Sequence, residues 1–269
     1  MPAQTPAFPA PAAPNSALAA CRAIGALVLR EMGTRYGRTP GGYLWALLEP
    51  LGMIILLAFA WSLLAKSPSL GTSFLLFKGT GLLILSLVTN LSNLVGRSML
   101  FSKALLLYPR ITWIDAILAR FVLNALVLTT VMTLILAGIV IFEEVRTVLA
   151  WDRIGLAVLL SALLGLGTGC LNCYLFQRFV AWQTAWAILT RPLFLISGVI
   201  VVYEDMPALA QAVLWFNPVL HLTGIMRDGF YPIYTPQYIS LSYLAAWIVI
   251  PLALGLLLLR QYHRDLLNR

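Results

Sequence analysis

Apolar residues fall in six runs along this chain: Leu44–Ala65, Ser73–Val95, Trp113–Phe142, Ile154–Phe176, Trp182–Val202 and Ser240–Leu259. Each is about as long as the ~20-residue helix that crosses a hydrocarbon core. The pattern predicts an all-α polytopic membrane protein with six transmembrane helices. The third run is overlong, which predicts a tilted span or a helix that starts before the bilayer. Trp45, Trp61, Trp113, Trp151 and Trp182 stand at or near run ends, as in an aromatic belt, and Trp247 departs from that rule. Ahead of the first run, Leu18, Cys21, Ile24, Val28 and Met32 recur at three- and four-residue steps, with Arg22 and Arg30 elsewhere on the wheel. This spacing predicts an N-terminal amphipathic helix lying in the membrane interface.

The connection 203–239 is too long for a simple turn and too apolar for a solvated loop. It holds Met206–Phe216, then Pro218, and later Pro232 and Pro236. A short helical hairpin dipping into the outer leaflet is expected before the last span. Such backbone is tolerated at membrane depth only where protein buries it or water reaches it. Residues 1–16 contain five prolines among alanines, which predicts a disordered, extended tail. The tail has neither the basic stretch nor the apolar stretch of a secretory signal peptide.

Composition agrees with a bilayer as solvent: 61% of residues are hydrophobic and 10% charged, against ~25% charged in soluble domains. The net charge of +8 does not point to nucleic acid, because the basic residues flank apolar runs and form no single basic face. They set orientation instead. Arg22, Arg30, Arg35, Arg38, Arg97, Lys103, Arg110, Arg178, Arg260, Arg264 and Arg269 fall on one side, and Lys66, Arg146, Arg153 and Arg227 on the other, eleven against four. The termini are therefore expected in the cytoplasm.

The chemistry in the chain is sparse. Cys170 and Cys173 form a CxxC, but inside an apolar run without a neighbouring histidine, so helix packing is expected of them. His221 and His263 are too far apart in sequence to suggest a metal site. Gly165, Gly167 and Gly169 lie inside an apolar helix and are expected to permit close helix packing. The Gly-Lys dipeptide of a Walker A loop occurs nowhere, so any ATP hydrolysis must belong to another chain. Charges inside the membrane are functional candidates by default; here they are Glu49, Lys78, Asp115, Arg120 and Arg191. For Glu49 and Asp115 the competing reading is local pairing near the interface. Lys78, nearer the outer end, has snorkelling as its alternative. Arg191, mid-run and beside Pro192, is the strongest candidate to face a water-filled path.

Arg30-Glu31-Met32-Gly33-Thr34-Arg35-Tyr36-Gly37-Arg38 followed by Gly42-Tyr43-Leu44-Trp45-Ala46-Leu47-Leu48-Glu49-Pro50 resembles the permeases of ABC-2 exporters, most of all the inner-membrane subunit of Gram-negative capsular polysaccharide exporters. A second match is Asn217-Pro218-Val219-Leu220-His221 followed by Arg227. Many relatives carry an acid three residues after this histidine, where this chain has Gly224. The resemblance extends over nearly all of 17–269, read as one transmembrane domain. It implies a homodimer, two copies of a separate ATP-binding subunit that uses ATP and Mg, a periplasmic adaptor and an outer-membrane pore. It also implies a location in the bacterial inner membrane and a polysaccharide on a lipid anchor as substrate. No cofactor on this chain and no catalytic residue of its own are expected. O-antigen and teichoic acid permeases look similar.

In that setting the channel lies between protomers, largely along the first and fifth spans. Tyr43, Trp45, Phe59, Trp182 and Trp186 lie on those spans and are candidates to stack on sugar faces, with lipid belt or core packing as the alternative. Arg35, Arg38 and Arg191, with Glu49, complete the candidate path; the arginines suit an anionic polymer or a lipid pyrophosphate. The segment Arg97–Arg110 resembles the coupling helix that receives the ATPase subunit: Met99, Leu100, Leu105 and Leu106 supply apolar anchors, and Arg97, Lys103, Tyr108 and Arg110 the rest. An ordinary interfacial loop is its alternative. Two other classes compete. A membrane transferase acting on a lipid-linked sugar should cluster acids or histidines at the interface, and a secondary transporter should show inverted repeats; neither pattern is visible.

Overall fold

The computed structural model describes residues 16–35, 41–106, 111–145 and 147–267. Of the predicted tail, only Ser16 lies within them, as the first residue of α1 (Ser16–Arg35). The remaining helices are α2 (Gly42–Leu64), α3 (Phe74–Gly96), α4 (Ser98–Leu106), α5 (Trp113–Phe142), α6 (Trp151–Arg178), α7 (Val180–Thr190), α8 (Leu193–Ile196), α9 (Ala208–Leu214), α10 (Pro218–Phe230) and α11 (Leu241–Leu267). Among the described residues, five helices are long and apolar enough to cross a membrane. A sixth exists if α9 and α10, bent by 105°, are counted as one broken span.

The fifth predicted run is not one continuous helix. Pro192 has no N–H to donate and its ring excludes the preceding helical carbonyl, so α7 stops at Thr190 and only four helical residues follow. The chain then turns at Gly198, whose φ of 73° lies in the left-handed region that costs a side chain dearly. The apolar run was continuous in sequence, but the helix is not.

The expected helical hairpin before the last span is present as α9 and α10. Asn217 caps α10 by accepting from the Val219 N–H at 3.0 Å, and Pro218 suits the first helical position, where no donor is needed. Eleven of the 13 residues of α10 are buried, because the helix sits against both α3 and α6. Protein contacts therefore replace the water this backbone lacks.

Helices α3 and α6 form the centre. Helix α11 packs on α6, and α2 and α5 pack on α3. Lipid tails are as apolar as leucine, so helices associate in a bilayer by close packing, and small residues allow it. A Cβ on Gly165 would lie 2.7 Å from the Leu91 Cβ, one on Gly169 2.7 Å from the Val95 Cβ, and one on Gly167 2.6 Å from the Ile248 carbonyl oxygen. Two of the glycines thus admit α3 and the third admits α11, as the sequence led us to expect. Cys170 and Cys173 are buried with Val95, Met99, Ile117 and Leu259, also in the expected packing role.

Helix α1 packs against α5. The predicted apolar face needs adjustment: Leu27 is the buried side chain and Met32 is exposed. The contact is decided by Leu27 and by Glu31 one turn later, which pairs with Arg120 of α5 at 3.0 Å.

Candidate functional site

The intramembrane charges separate into structural and open ones. Asp115 closes a capping box at the start of α5: its carboxylate accepts from the Thr112 N–H at 2.9 Å, and the Thr112 hydroxyl accepts from the Asp115 N–H at 3.2 Å. Local pairing is therefore its role here. Lys78 does not snorkel. It is 1% exposed, donates to the Ile200 carbonyl at 2.8 Å and lies 4.4 Å from the centre of the Trp61 ring. Arg120 reaches Glu31 of α1, donates to the Arg97 carbonyl at 3.2 Å and stacks on Phe101 of α4 at 4.1 Å. One side chain thereby joins α1, α4 and α5 at the turn between α3 and α4. Glu49 and Arg191 are exposed, Arg191 at the break between α7 and α8.

Asn217 of the second sequence motif, together with Thr223 of α10 and Lys78 of α3, holds the end of α8 and the unwound segment that follows it. Asn217 donates to the Ile196 carbonyl at 3.0 Å, Thr223 to the Ser197 carbonyl at 2.9 Å, and Lys78 to the Ile200 carbonyl at 2.8 Å. Three carbonyls that a helix would have satisfied are satisfied by side chains instead. His221 accepts the Ser240 N–H at Nδ1 (3.2 Å), which leaves its Nε2–H to donate to the Trp215 carbonyl at 2.8 Å. It therefore pins the bend between α9 and α10 to the start of α11. Arg227 stacks on Phe77, 4.0 Å from ring centre to guanidinium. A Cβ on Gly224 would lie 2.4 Å from the Tyr238 hydroxyl, so that phenol fills the space where an acid would stand. Burial pushes the Tyr238 phenol up to about 12, and it stays protonated as a donor to the Leu220 carbonyl at 3.3 Å.

Two grooves open beside α3 near its C-terminal end. The larger, about 570 Å³, runs between α2, α3 and α5 and is bordered by Trp45 and Glu49 of α2. The smaller, about 330 Å³, lies between α3, α6 and α7, bordered by Gln183 and Thr190 of α7. Asn93 and Leu94 line both. Between α2 and α7, then, lies one face of α3. It bears Ser86, Asn90, Asn93 and Arg97, at steps of four, three and four residues, which place them on one stripe. None of the four is buried, although most of α3 is. Ser86, Asn90 and Asn93 are not among the path residues expected from sequence; their helical spacing is the signal that marks them.

The predicted path residues do not all converge. Trp45 and Glu49 border the larger groove. Phe59 lies at the opposite end of α2, in a groove of about 580 Å³ with Ser73 and Glu143. Trp182 donates its indole N–H to Asn172 at 2.9 Å, and Asn172 donates to Ser92 at 3.1 Å. This hydrogen-bonded chain docks α7 on the α3–α6 pair. The Trp186 indole nitrogen is buried without a partner among the described residues. Arg38 lies outside the described residues, as do the side chains of Arg35 and Tyr43.

In the predicted coupling segment, α4 occupies Ser98–Leu106, and Tyr108 and Arg110 lie outside the described residues. Met99 is 0% exposed, so it anchors α4 to the bundle and faces no partner. Leu106 also packs inward. Leu100 and Phe101 are 54% and 63% exposed; Lys103 and Leu105 are half-buried.

Comparison with known proteins adds the family. Residues 22–231 match the ABC-2 type transporter family. The chain is similar to the polysialic acid transport protein KpsM of Escherichia coli, with 28% identity over 91% of this chain and 95% of that protein. It is similar to the capsule polysaccharide export inner-membrane protein BexB of Haemophilus influenzae, with 28% identity over 90% and 92%. It is also similar to the capsule polysaccharide export inner-membrane protein CtrC of Neisseria meningitidis serogroup B, with 26% identity over 90% and 92%. A membrane bundle of this architecture, matched from before the first span to the end of the α9–α10 hairpin, belongs to the ABC-2 type transporter family.

Proposed function

We propose that this chain is the channel-forming permease of an ATP-driven exporter that moves a lipid-linked capsular polysaccharide across the bacterial inner membrane. The observation that supports this most directly is the under-packing of α2 and α7. Leu44, Trp45, Leu56, Phe59 and Leu63 of α2 are more than half exposed, and α7 buries none of its residues. Two apolar helices that flank a polar stripe, and leave it uncovered, suit a path closed by a second copy of the chain. The relatives' names supply the polymer class. Deleting the gene should abolish one surface polysaccharide and leave it, lipid-linked, inside the cell. Normal surface polymer would end this reading; an O-antigen or teichoic acid retained instead would change the polymer alone. A polymer made with altered linkages would favour a membrane transferase.

The same reading places a homodimer with two ATP-binding subunits in the inner membrane, with both termini in the cytoplasm and a periplasmic adaptor and outer-membrane pore beyond. ATP and Mg act on the partner subunit. The orientation rests on the eleven-to-four distribution of Lys and Arg. A reporter fused after Arg269 should behave as cytoplasmic, and one inserted at 143–152 as periplasmic; the reverse pattern would invert every assignment. Arg35, Arg38, Tyr43, Trp45, Glu49, Phe59, Trp182, Trp186 and Arg191 remain the proposed path.

Helix α4 is the proposed docking surface, through its exposed face. Apolar residues in a docking groove supply most of an interface's energy, and rim charges little. Leu100→Asp should therefore release the ATPase subunit or uncouple hydrolysis, with co-purification reduced about tenfold or more, whereas Lys103→Ala should change it less than about twofold. Full partner binding and stimulated hydrolysis in Leu100→Asp would move the docking surface elsewhere.

A further inference from the structure

We infer that the stripe Ser86, Asn90, Asn93 and Arg97 on α3 is a hydrated binding strip for a polyhydroxylated carbohydrate chain. The inference rests on the export reading above and adds Ser86, Asn90 and Asn93 to its proposed path. The stripe covers about 16 Å of helix axis, roughly half the thickness of a hydrocarbon core. Neither the Asn90 nor the Asn93 carboxamide is engaged by another group among the described residues. In contact with lipid, such groups stay unsatisfied at considerable cost. They need water, a polar ligand or a second protein surface.

The geometry favours a ligand path over a dry contact. The stripe does not face the bundle: it opens into both grooves beside α3, which share Asn93 and Leu94. A carboxamide presents two N–H donors and a carbonyl acceptor, which matches a sugar hydroxyl that both donates and accepts. Two carboxamides one turn apart, with a serine hydroxyl a further turn away, make a ladder that reads hydroxyls without selecting for charge. Arg97, exposed at the end of α3, adds a cation at one end of the ladder, and Glu49 on α2 an acid at its side. The strip has a boundary. Toward the other end of α3, Gly79 is closed over by Ile54, Leu136 and Ile139, whose side-chain atoms lie 3.3 to 3.8 Å from where its Cβ would be. The polar ladder therefore ends against an apolar plug in this conformation.

The test separates hydration from function. In a Cys21→Ser background, Asn90→Cys and Asn93→Cys are treated in native membranes with a hydrophilic maleimide, which reacts with the thiolate and so reports water. Leu126→Cys serves as the apolar reference, since Leu126 on α5 is 63% exposed and lines neither of the two grooves. Both stripe cysteines should label at least about tenfold faster than the reference. Asn90→Leu/Asn93→Leu should insert normally and retain the ATPase subunit, yet lower surface polysaccharide about tenfold through the loss of two hydrogen-bonding groups; Asn90→Gln/Asn93→Gln should recover part of the export. Labelling as slow as the reference would overturn the inference, because the stripe would then be dry against lipid or a second copy. Fast labelling with unchanged export in the double leucine variant would overturn it too, leaving a wet surface that binds nothing. If deletion of the whole chain leaves every surface polymer unchanged, the export reading and the carbohydrate assignment fail together, while the labelling still reads hydration by itself.

Discussion

Gly255→Leu is expected to prevent the bundle from assembling. A Cβ at this position of α11 would lie 2.5 Å from the Leu171 nitrogen, 2.6 Å from the Cys170 carbonyl carbon and 2.9 Å from its oxygen. These are backbone atoms of α6, so no rotamer change relieves the clash, and α11 must move away from α6 along its length. Overpacking a well-filled core costs typically ~1–3 kcal/mol, and a backbone-against-backbone clash belongs at or above the upper end. Membrane helices have little else to hold them together once close approach is lost. The variant should accumulate poorly and unfold at lower temperature in detergent; Gly255→Ala should show the same defect in weaker form. Gly155→Leu is the control: it lies on α6, is exposed, and its Cβ would meet nothing within 4 Å. Equal stability of Gly255→Leu and Gly155→Leu would show that α6 and α11 do not meet as described.

Arg120→Ala is expected to detach α1 and loosen the elbow between α3 and α4. The guanidinium is 7% exposed and its partner Glu31 19% exposed, so both ends of the pair are largely removed from water. Breaking a buried pair by deleting one partner costs ~3–5 kcal/mol, because the remaining charge loses its compensation. The substitution also removes the donor to the Arg97 carbonyl and the cation stacked on Phe101. Arg120→Lys should recover only part of the loss, since an ammonium cannot stack on Phe101 and serve two acceptors in a plane. Proteolysis within α1, or loss of ATPase-subunit binding through displaced α4, should appear in Arg120→Ala and be milder in Glu31→Gln. An Arg120→Ala protein with wild-type stability and coupling would show that this junction has no mechanical role.

The positions of the spans were legible in the sequence. A helix in a bilayer must satisfy its own backbone hydrogen bonds, so an apolar run of sufficient length becomes a helix almost wherever it occurs. Trp113–Phe142 matched α5 residue for residue, and Gly165, Gly167 and Gly169 were readable as packing surface because only close approach explains three glycines within an apolar helix. The hairpin α9–α10 was readable from its prolines and its unspent apolarity. Which face of each helix meets protein was not legible. In water that face is marked by hydrophobicity, but lipid and protein interior are equally apolar, and the face is marked only by shape and by pairings between distant residues. Hence Leu27 in place of Met32 on α1, the inward turn of Lys78 toward Ile200, and Met99 buried where a docking residue was expected. The break in the fifth run needed Pro192 and Gly198 together with Asn217, Thr223 and Lys78, whose carbonyl partners lie 21, 26 and 122 residues away in pairs the sequence does not announce. The polar stripe of α3 was written in the sequence at helical spacing. Only the tertiary structure decided that α2 and α7 stand on either side of it and leave it open, because that depends on where the other helices were able to pack.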